Sequence, residues 1–146
     1  MRISEKRQAI LNEVRSWLDT PFVHQARLKG VGCDCAALPI AAARAIGLQP
    51  EDIKGYGPIP HAGRLRRCVE SQLVRIEVAA AKPGDVFMMR FNGDEQHLAI
   101  ATDYGIIHSY SQMAKNGRQK GRVVEHRLNS TWRRRIVAAF RFPGVD

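Results

Sequence analysis

The sequence predicts an α+β fold, and three observations predict it. Apolar residues recur at helical spacing in the first half, and after Asp85 they give way to short apolar runs between turn signals. The chain has 146 residues and 45% apolar content, which suits one compact core over residues 1–146. Helices first and an antiparallel sheet of about five strands afterwards is the α+β order.

Ile10, Leu11, Val14, Trp17 and Leu18 form the stripe of an amphipathic helix, which Thr20-Pro21 ends. Residues 22–34, with Gly30 and Gly32, read as an irregular loop. It leads into Cys35-Ala36-Ala37-Leu38-Pro39, the start of an alanine-rich helix stopped by Gly47. Pro39 is tolerable there because early helical amides lack intrahelical partners. Residues 56–60 read as loop, and Leu65, Val69 and Leu73 predict a further helix that ends before residues 79–83. Strands are expected over 85–91, 97–102, 106–110, 123–128 and 136–142, with turns at Asn92-Gly93 and Tyr104-Gly105.

Charges at Arg2, Glu5, Lys6, Arg7, Glu13 and Arg15 break up the N-terminal segment. No apolar run of signal-peptide or membrane-spanning length is expected, so action outside a cell would need another means of delivery. The net charge of +9 and pI near 10.1 point to polyanionic surroundings. Basic clusters at 64–67, 115–122 and 133–135 carry few interleaved aromatics, which disfavours nucleic acid and favours solvated surface. Three cysteines, two of them as Cys33-Asp34-Cys35, do not make a disulfide scaffold.

The chemistry centres on Cys35. A thiol at a helix N-terminus meets unpaired N–H groups and the positive dipole end, so a lowered pKa and a thiolate are expected. His97 and His108 lie eleven residues apart on two expected strands joined by the Tyr104-Gly105 turn, as cross-strand neighbours would. In that arrangement His97 is the base and His108 fixes its tautomer, with the Cys35 N–H as an oxyanion donor. Asp34 is expected to cap the helix. Cys33 and Cys68 read as packing residues, and His24, His61 and His126 as packing or solvated ones. Zinc on Cys33, Cys35, His97 and His108 is disfavoured by the cramped Cys-x-Cys spacing, so no metal and no cofactor is expected.

Gly32-Cys33-Asp34-Cys35 opening an alanine-rich helix, then Pro83-Gly84-Asp85-Val86, Gln96-His97-Leu98-Ala99-Ile100 and Ile106-Ile107-His108, follow the order found in NlpC-family cell-wall peptidases. Thr20-Pro21-Phe22-Val23-His24-Gln25 and the segment from Trp132 to Pro143 resemble the branch found among phage tail and gene-transfer-agent proteins. The resemblance spans nearly the whole chain. It implies a papain-like fold and a Cys-His-His triad of Cys35, His97 and His108. The implied reaction is hydrolysis of peptidoglycan stem peptides, typically between D-glutamate and diaminopimelate or lysine.

Tail proteins are the implied partners, with a virion or gene-transfer-agent tail as the location and the cell wall or periplasm as the place of action. Phe22 stands where such proteins usually carry a substrate-binding tyrosine, so Phe22 and Asp34 are the candidate substrate contacts. Ala36-Ala37 replaces the commoner Ser-Gly or Ala-Gly. The rival reading keeps the fold but makes it a tail-tip assembly or wall-binding component without turnover.

Overall fold

In the computed structural model, residues 3–52, 63–91, 94–113, 115–117 and 119–146 are described; His61, the 56–60 loop and the Asn92-Gly93 turn lie outside them. Helix α1 (Glu5–Arg15) begins at Ser4, whose hydroxyl accepts from the Arg7 N–H. Glu5 at its start and Arg15 at its end both favour the helix dipole. Ile10, Leu11 and Val14 are fully buried, each adding about 2 kcal/mol to the core. The predicted stripe is present, but the helix stops at Arg15 and residues 16–19 turn before Thr20-Pro21.

The expected irregular loop contains a small hairpin of β1 (Arg27–Leu28) and β2 (Gly32–Cys33). Helix α2 (Ala37–Ala45) follows, with Pro39 in its first turn and Gly47 at φ +85° just past its end. The N–H of Leu48 reaches the Ala43 carbonyl at 2.9 Å and that of Gly47 the Arg44 carbonyl at 3.1 Å, closing the helix as glycine allows. Helix α3 (Arg64–Gln72) buries Leu65 and Val69.

The sheet contains β3 (Val74–Ile76), β4 (Val86–Phe91), β5 (Asp94–Ala101), β6 (Ile106–Met113), β7 (Gln119–His126) and β8 (Ile136–Arg141). Their order is β3-β8-β4-β5-β6-β7, with antiparallel pairing throughout. The sheet therefore has six strands where about five were expected. The additional one, β3, is three residues long and pairs only with β8, too short for a periodic signal.

Strand alternation splits the core in two. Val86, Met88, Leu98, Ile100, Ile107 and Phe140 pack with residues of α1, α2 and α3. Phe87, Met89, Ala99, Ala101, Ile106 and Ala139 form the second cluster, against Leu128, Trp132 and Ile136. The short helix α4 (Ser130–Arg133), capped by Asn129, carries Trp132 onto that second cluster.

One buried carboxylate, paired with two guanidinium groups, ties the two ends of the chain to the sheet. Asp85 is fully buried and accepts from Arg7 at 3.0 Å and from Arg141 at 2.9 and 3.1 Å. Arg7 falls at helical spacing on the face of Ile10, Leu11 and Val14, but its charge reads as solvated, and it is buried there with Asp85 as partner.

Candidate active site

Cys35 sits on a turn that two different elements hold. Ser109 of β6 donates to the Cys33 carbonyl at 2.9 Å, which fixes the end of β2 against the sheet. Asp34 accepts from the Ala36 N–H at 3.1 Å, the Gln25 N–H at 2.9 Å and the Arg27 guanidinium at 2.6 Å. Arg27 in turn meets Asp52 at 3.0 Å. The expected cap at Asp34 is thus a brace for the turn: α2 begins at Ala37, its N-cap Ala36 has no side-chain cap, and Cys35 precedes the first helical residue by two.

Asp34, a candidate substrate contact, is 2% exposed and engaged by these local partners. Phe22 is half-buried and bridges to Cys33, next to the same turn, while its N–H bonds the Gly121 carbonyl of β7 at 2.9 Å.

The backbone N–H of Leu98, the residue after His97 on β5, is close enough to the Cys35 thiol to favour its anion. The thiol therefore lies by the strand carrying the candidate base. The strand is open there because β5 and β6, among the described residues, pair at Ile100–Ile107 and Ala101–Ile106 and then part. His97 and His108 lie beyond the paired stretch and face each other through their rings, with Nε2 of His97 2.6 Å from Nδ1 of His108. Adjacent strands were expected to bring them together, and they do so without being register partners.

A third imidazole extends the row. Nε2 of His108 lies 2.9 Å from Nε2 of His126, and Nδ1 of His126 lies 2.9 Å from the Arg127 carbonyl oxygen. His126 read as packing or solvated in the sequence, and the structure corrects that. His108 pairs with Val124 across the β6–β7 ladder, so His126, two residues on, projects from the same face as a diagonal neighbour. The available signal was the strand over 123–128, but the register of that hairpin is needed to use it.

Aromatic rings enclose the histidines. Phe91 meets His97 edge-on at 5.1 Å, Tyr110 stacks on His108 at 5.4 Å, and Trp132 lies 5.0 Å from His108 and 4.9 Å from His126. Arg135 was grouped with solvated bases, but its guanidinium covers the Phe91 and Trp132 rings at 4.5 and 4.6 Å. Beside the turn, an apolar cleft of about 60 Å³ is lined by Ala36, Pro39, Ile40, Leu65, Val69 and Leu98.

The electrostatics overturn the expected thiolate. Burial, followed by the negative charge of Asp34, pushes the Cys35 thiol up to about 12, against the lowering effect of the Leu98 N–H and Arg27. Burial and the nearby Arg135 cation bring His97 down to about 3, and burial with the neighbouring histidines brings His108 down to about 2. Burial is the largest effect, the Asp34 anion adds to it, and α2 begins only at Ala37, two residues after Cys35. The resting pair is a neutral thiol and a neutral imidazole.

Cys33 is fully buried, and Cys68 on α3 receives the Gln72 amide at 3.3 Å. Among the described residues no group of three or more His, Cys, Asp or Glu side chains is arranged to hold a metal ion.

No family model matches the chain, and no curated protein does. Solved structures do match over nearly all of it. An NLP/P60-family lipoprotein-like protein of Staphylococcus aureus superposes with a TM-score of 0.65 at 16% identity, covering 97% of this chain and 42% of its own. The fold is that of NlpC/P60 domains. An NlpC/P60 protein of Bacillus cereus gives 0.64 at 17% identity, over 93% of this chain and 40% of its own. The NlpC/p60 domain of the peptidoglycan hydrolase SagA gives 0.57 at 24% identity, over 93% of this chain and 98% of that domain. This chain thus spans about two fifths of the first two NlpC/P60 proteins and nearly all of the SagA domain. The α+β, papain-like architecture expected from the sequence is the one observed.

Proposed function

We propose that this NlpC/P60-fold protein is a cysteine hydrolase of peptidoglycan stem peptides, with Cys35 as nucleophile, His97 as base and His108 as the residue that orients the base. The observation that carries the reading is the His97–His108 imidazole contact at 2.6 Å on the strand whose next residue, Leu98, acts on the Cys35 thiol through its N–H. Peptidoglycan hydrolases with this fold, SagA and RipB of Mycobacterium tuberculosis among them, support the substrate class.

Because the resting pair is neutral, attack and proton transfer go together. The thiol proton passes to His97 as sulfur adds to the scissile carbonyl, and the Cys35 N–H is the donor proposed for the developing oxyanion. Collapse of the tetrahedral intermediate breaks the C–N bond, and the imidazolium proton leaves with the amine. A water then attacks the thioester with His97 as base, releasing the acid and restoring the thiol. The bond proposed is D-glutamyl to diaminopimelate or lysine. The setting proposed is cell-wall opening during phage or gene-transfer-agent entry, with the protein carried among tail proteins; the Thr20 to Gln25 and Trp132 to Pro143 segments support this.

Digestion of purified peptidoglycan followed by mass spectrometry of the soluble muropeptides tests the reading. New fragments ending at the proposed bond are expected from the wild type and none from Cys35→Ala. Identical muropeptide profiles for both proteins would leave the non-turnover tail component in its place.

A further inference from the structure

His126 takes no part in the mechanism above, yet it is bonded at both ring nitrogens. A carbonyl oxygen only accepts, so the contact with Arg127 places a hydrogen on Nδ1 of His126. In a neutral ring the other nitrogen is then an acceptor, and His108 must donate to it from Nε2. That leaves Nδ1 of His108 as the acceptor in the 2.6 Å contact, which Nε2–H of His97 completes. Nδ1 of His97 is the nitrogen left without a hydrogen. One peptide oxygen thereby sets three tautomers in sequence, and the last is the one a base requires.

We propose that His126 is a positioning residue that transmits the Arg127 carbonyl's preference through His108 to His97, holding the Nδ1 of His97 ready to receive the thiol proton. The consequence for rate rests on the Cys35–His97 reading above; the tautomer pattern does not. The surroundings keep the row in one arrangement. Trp132 packs on both His108 and His126, and Tyr110 stacks on His108. A side chain at Gly105 would overlap the His126 carbonyl, so only glycine lets the backbones approach this closely. The Arg135 guanidinium lies near the row and disfavours a cation at His97 and at His108.

Removing the acceptor at position 126 frees His108 to carry its hydrogen on Nδ1 and donate it to Nε2 of His97. The His97 hydrogen then moves to Nδ1, where it blocks the thiol's proton. A wrong base tautomer costs a serine protease triad about 10⁴ in kcat, and a mixture of tautomers costs less.

Long-range ¹H–¹⁵N correlation of the imidazoles at pH 7 tests the inference without turnover. The expected wild-type pattern is Nδ1–H at His126 and Nε2–H at His108 and His97. Nδ1–H at His108, or a charged ring in the row, would overturn it. His126→Gln keeps an acceptor near the original Nε2, and His126→Phe removes it. The glutamine variant is expected to keep the His108 tautomer and, on a soluble muropeptide, to hold kcat within about threefold. The phenylalanine variant is expected to lose that tautomer and about 100-fold in kcat, with KM little changed. Equal losses in both variants with the His108 tautomer intact would make His126 merely structural and refute the proposal. Should the phenylalanine variant not fold, the wild-type spectrum and the glutamine variant still decide it. The expected tautomers in a protein without hydrolase activity would refute the enzyme reading alone, and turnover with reversed tautomers would refute the relay alone.

Discussion

Mild acid should destabilise this protein by an amount that two histidines determine. His97 and His108 are buried and neutral, held down to about 3 and about 2, while in the unfolded chain both return to the ordinary value of 6.5. The unfolded state therefore binds more protons as the pH falls below 6.5, and stability is lost through the window from there down toward 3. Between pH 7 and pH 5 each ring contributes about 2 kcal/mol of that loss, about 4 kcal/mol together. That is a large part of the roughly 5–15 kcal/mol typical of a domain, and it corresponds to a fall in Tm on the order of 10 °C at this size.

The assay is thermal unfolding by circular dichroism at both pH values for the wild type, His97→Gln, His108→Gln and the double variant. The quantity compared is each protein's own shift between the two pH values, so lost packing in a variant cancels. Each single variant should keep about half the wild-type shift, and the double variant little of it. A double variant with the full wild-type shift would refute the claim that these rings are buried and neutral.

Other consequences follow from the same side chains. With the thiol near 12, its thiolate fraction at pH 7 is about a thousandfold below that of a thiol at 9.0. Iodoacetamide should then label Cys35 slowly at neutral pH and faster as pH rises past 9, and fast labelling at pH 7 would contradict the neutral resting pair. Asp34→Asn removes the charge that raises the thiol beside burial, so labelling of Cys35 at pH 8 should accelerate; an unchanged rate would assign the whole effect to burial. Arg7→Ala leaves Asp85 buried with Arg141 as its remaining guanidinium and should cost on the order of 3 kcal/mol in urea unfolding. A cost below 1 kcal/mol would show that Arg141 suffices.

Much of the candidate site was legible because its signals are local. Cys35 follows a glycine-containing loop and precedes an alanine-rich helix, and His97 and His108 lie on runs with strand character either side of a Tyr104-Gly105 turn. What the sequence could not supply depends on three-dimensional neighbours. His126 reaches His108 only through the register of the β6–β7 ladder. Arg135 leaves its basic cluster because Phe91 and Trp132 offer ring faces that no linear pattern brings together. The thiol's direction of shift was misread because dipole position is a local feature, whereas desolvation depends on how the rest of the chain closes over the sulfur. Arg7 was hidden for the reverse reason: a charged residue in an amphipathic helix reads as solvated, and its burial depends on distant partners, Asp85 and the Pro83 and Asp146 backbone oxygens.

The claim on which the rest depends is that the Cys35 sulfur forms the covalent intermediate. Intact-protein mass spectrometry after rapid acid quench of a reaction with soluble muropeptide measures this directly. The expected result is an acyl adduct that maps to Cys35 in the wild type and is absent from both Cys35→Ala and His97→Ala. Cleavage of the same muropeptide at the wild-type rate by Cys35→Ala, with no adduct on any cysteine, would contradict it.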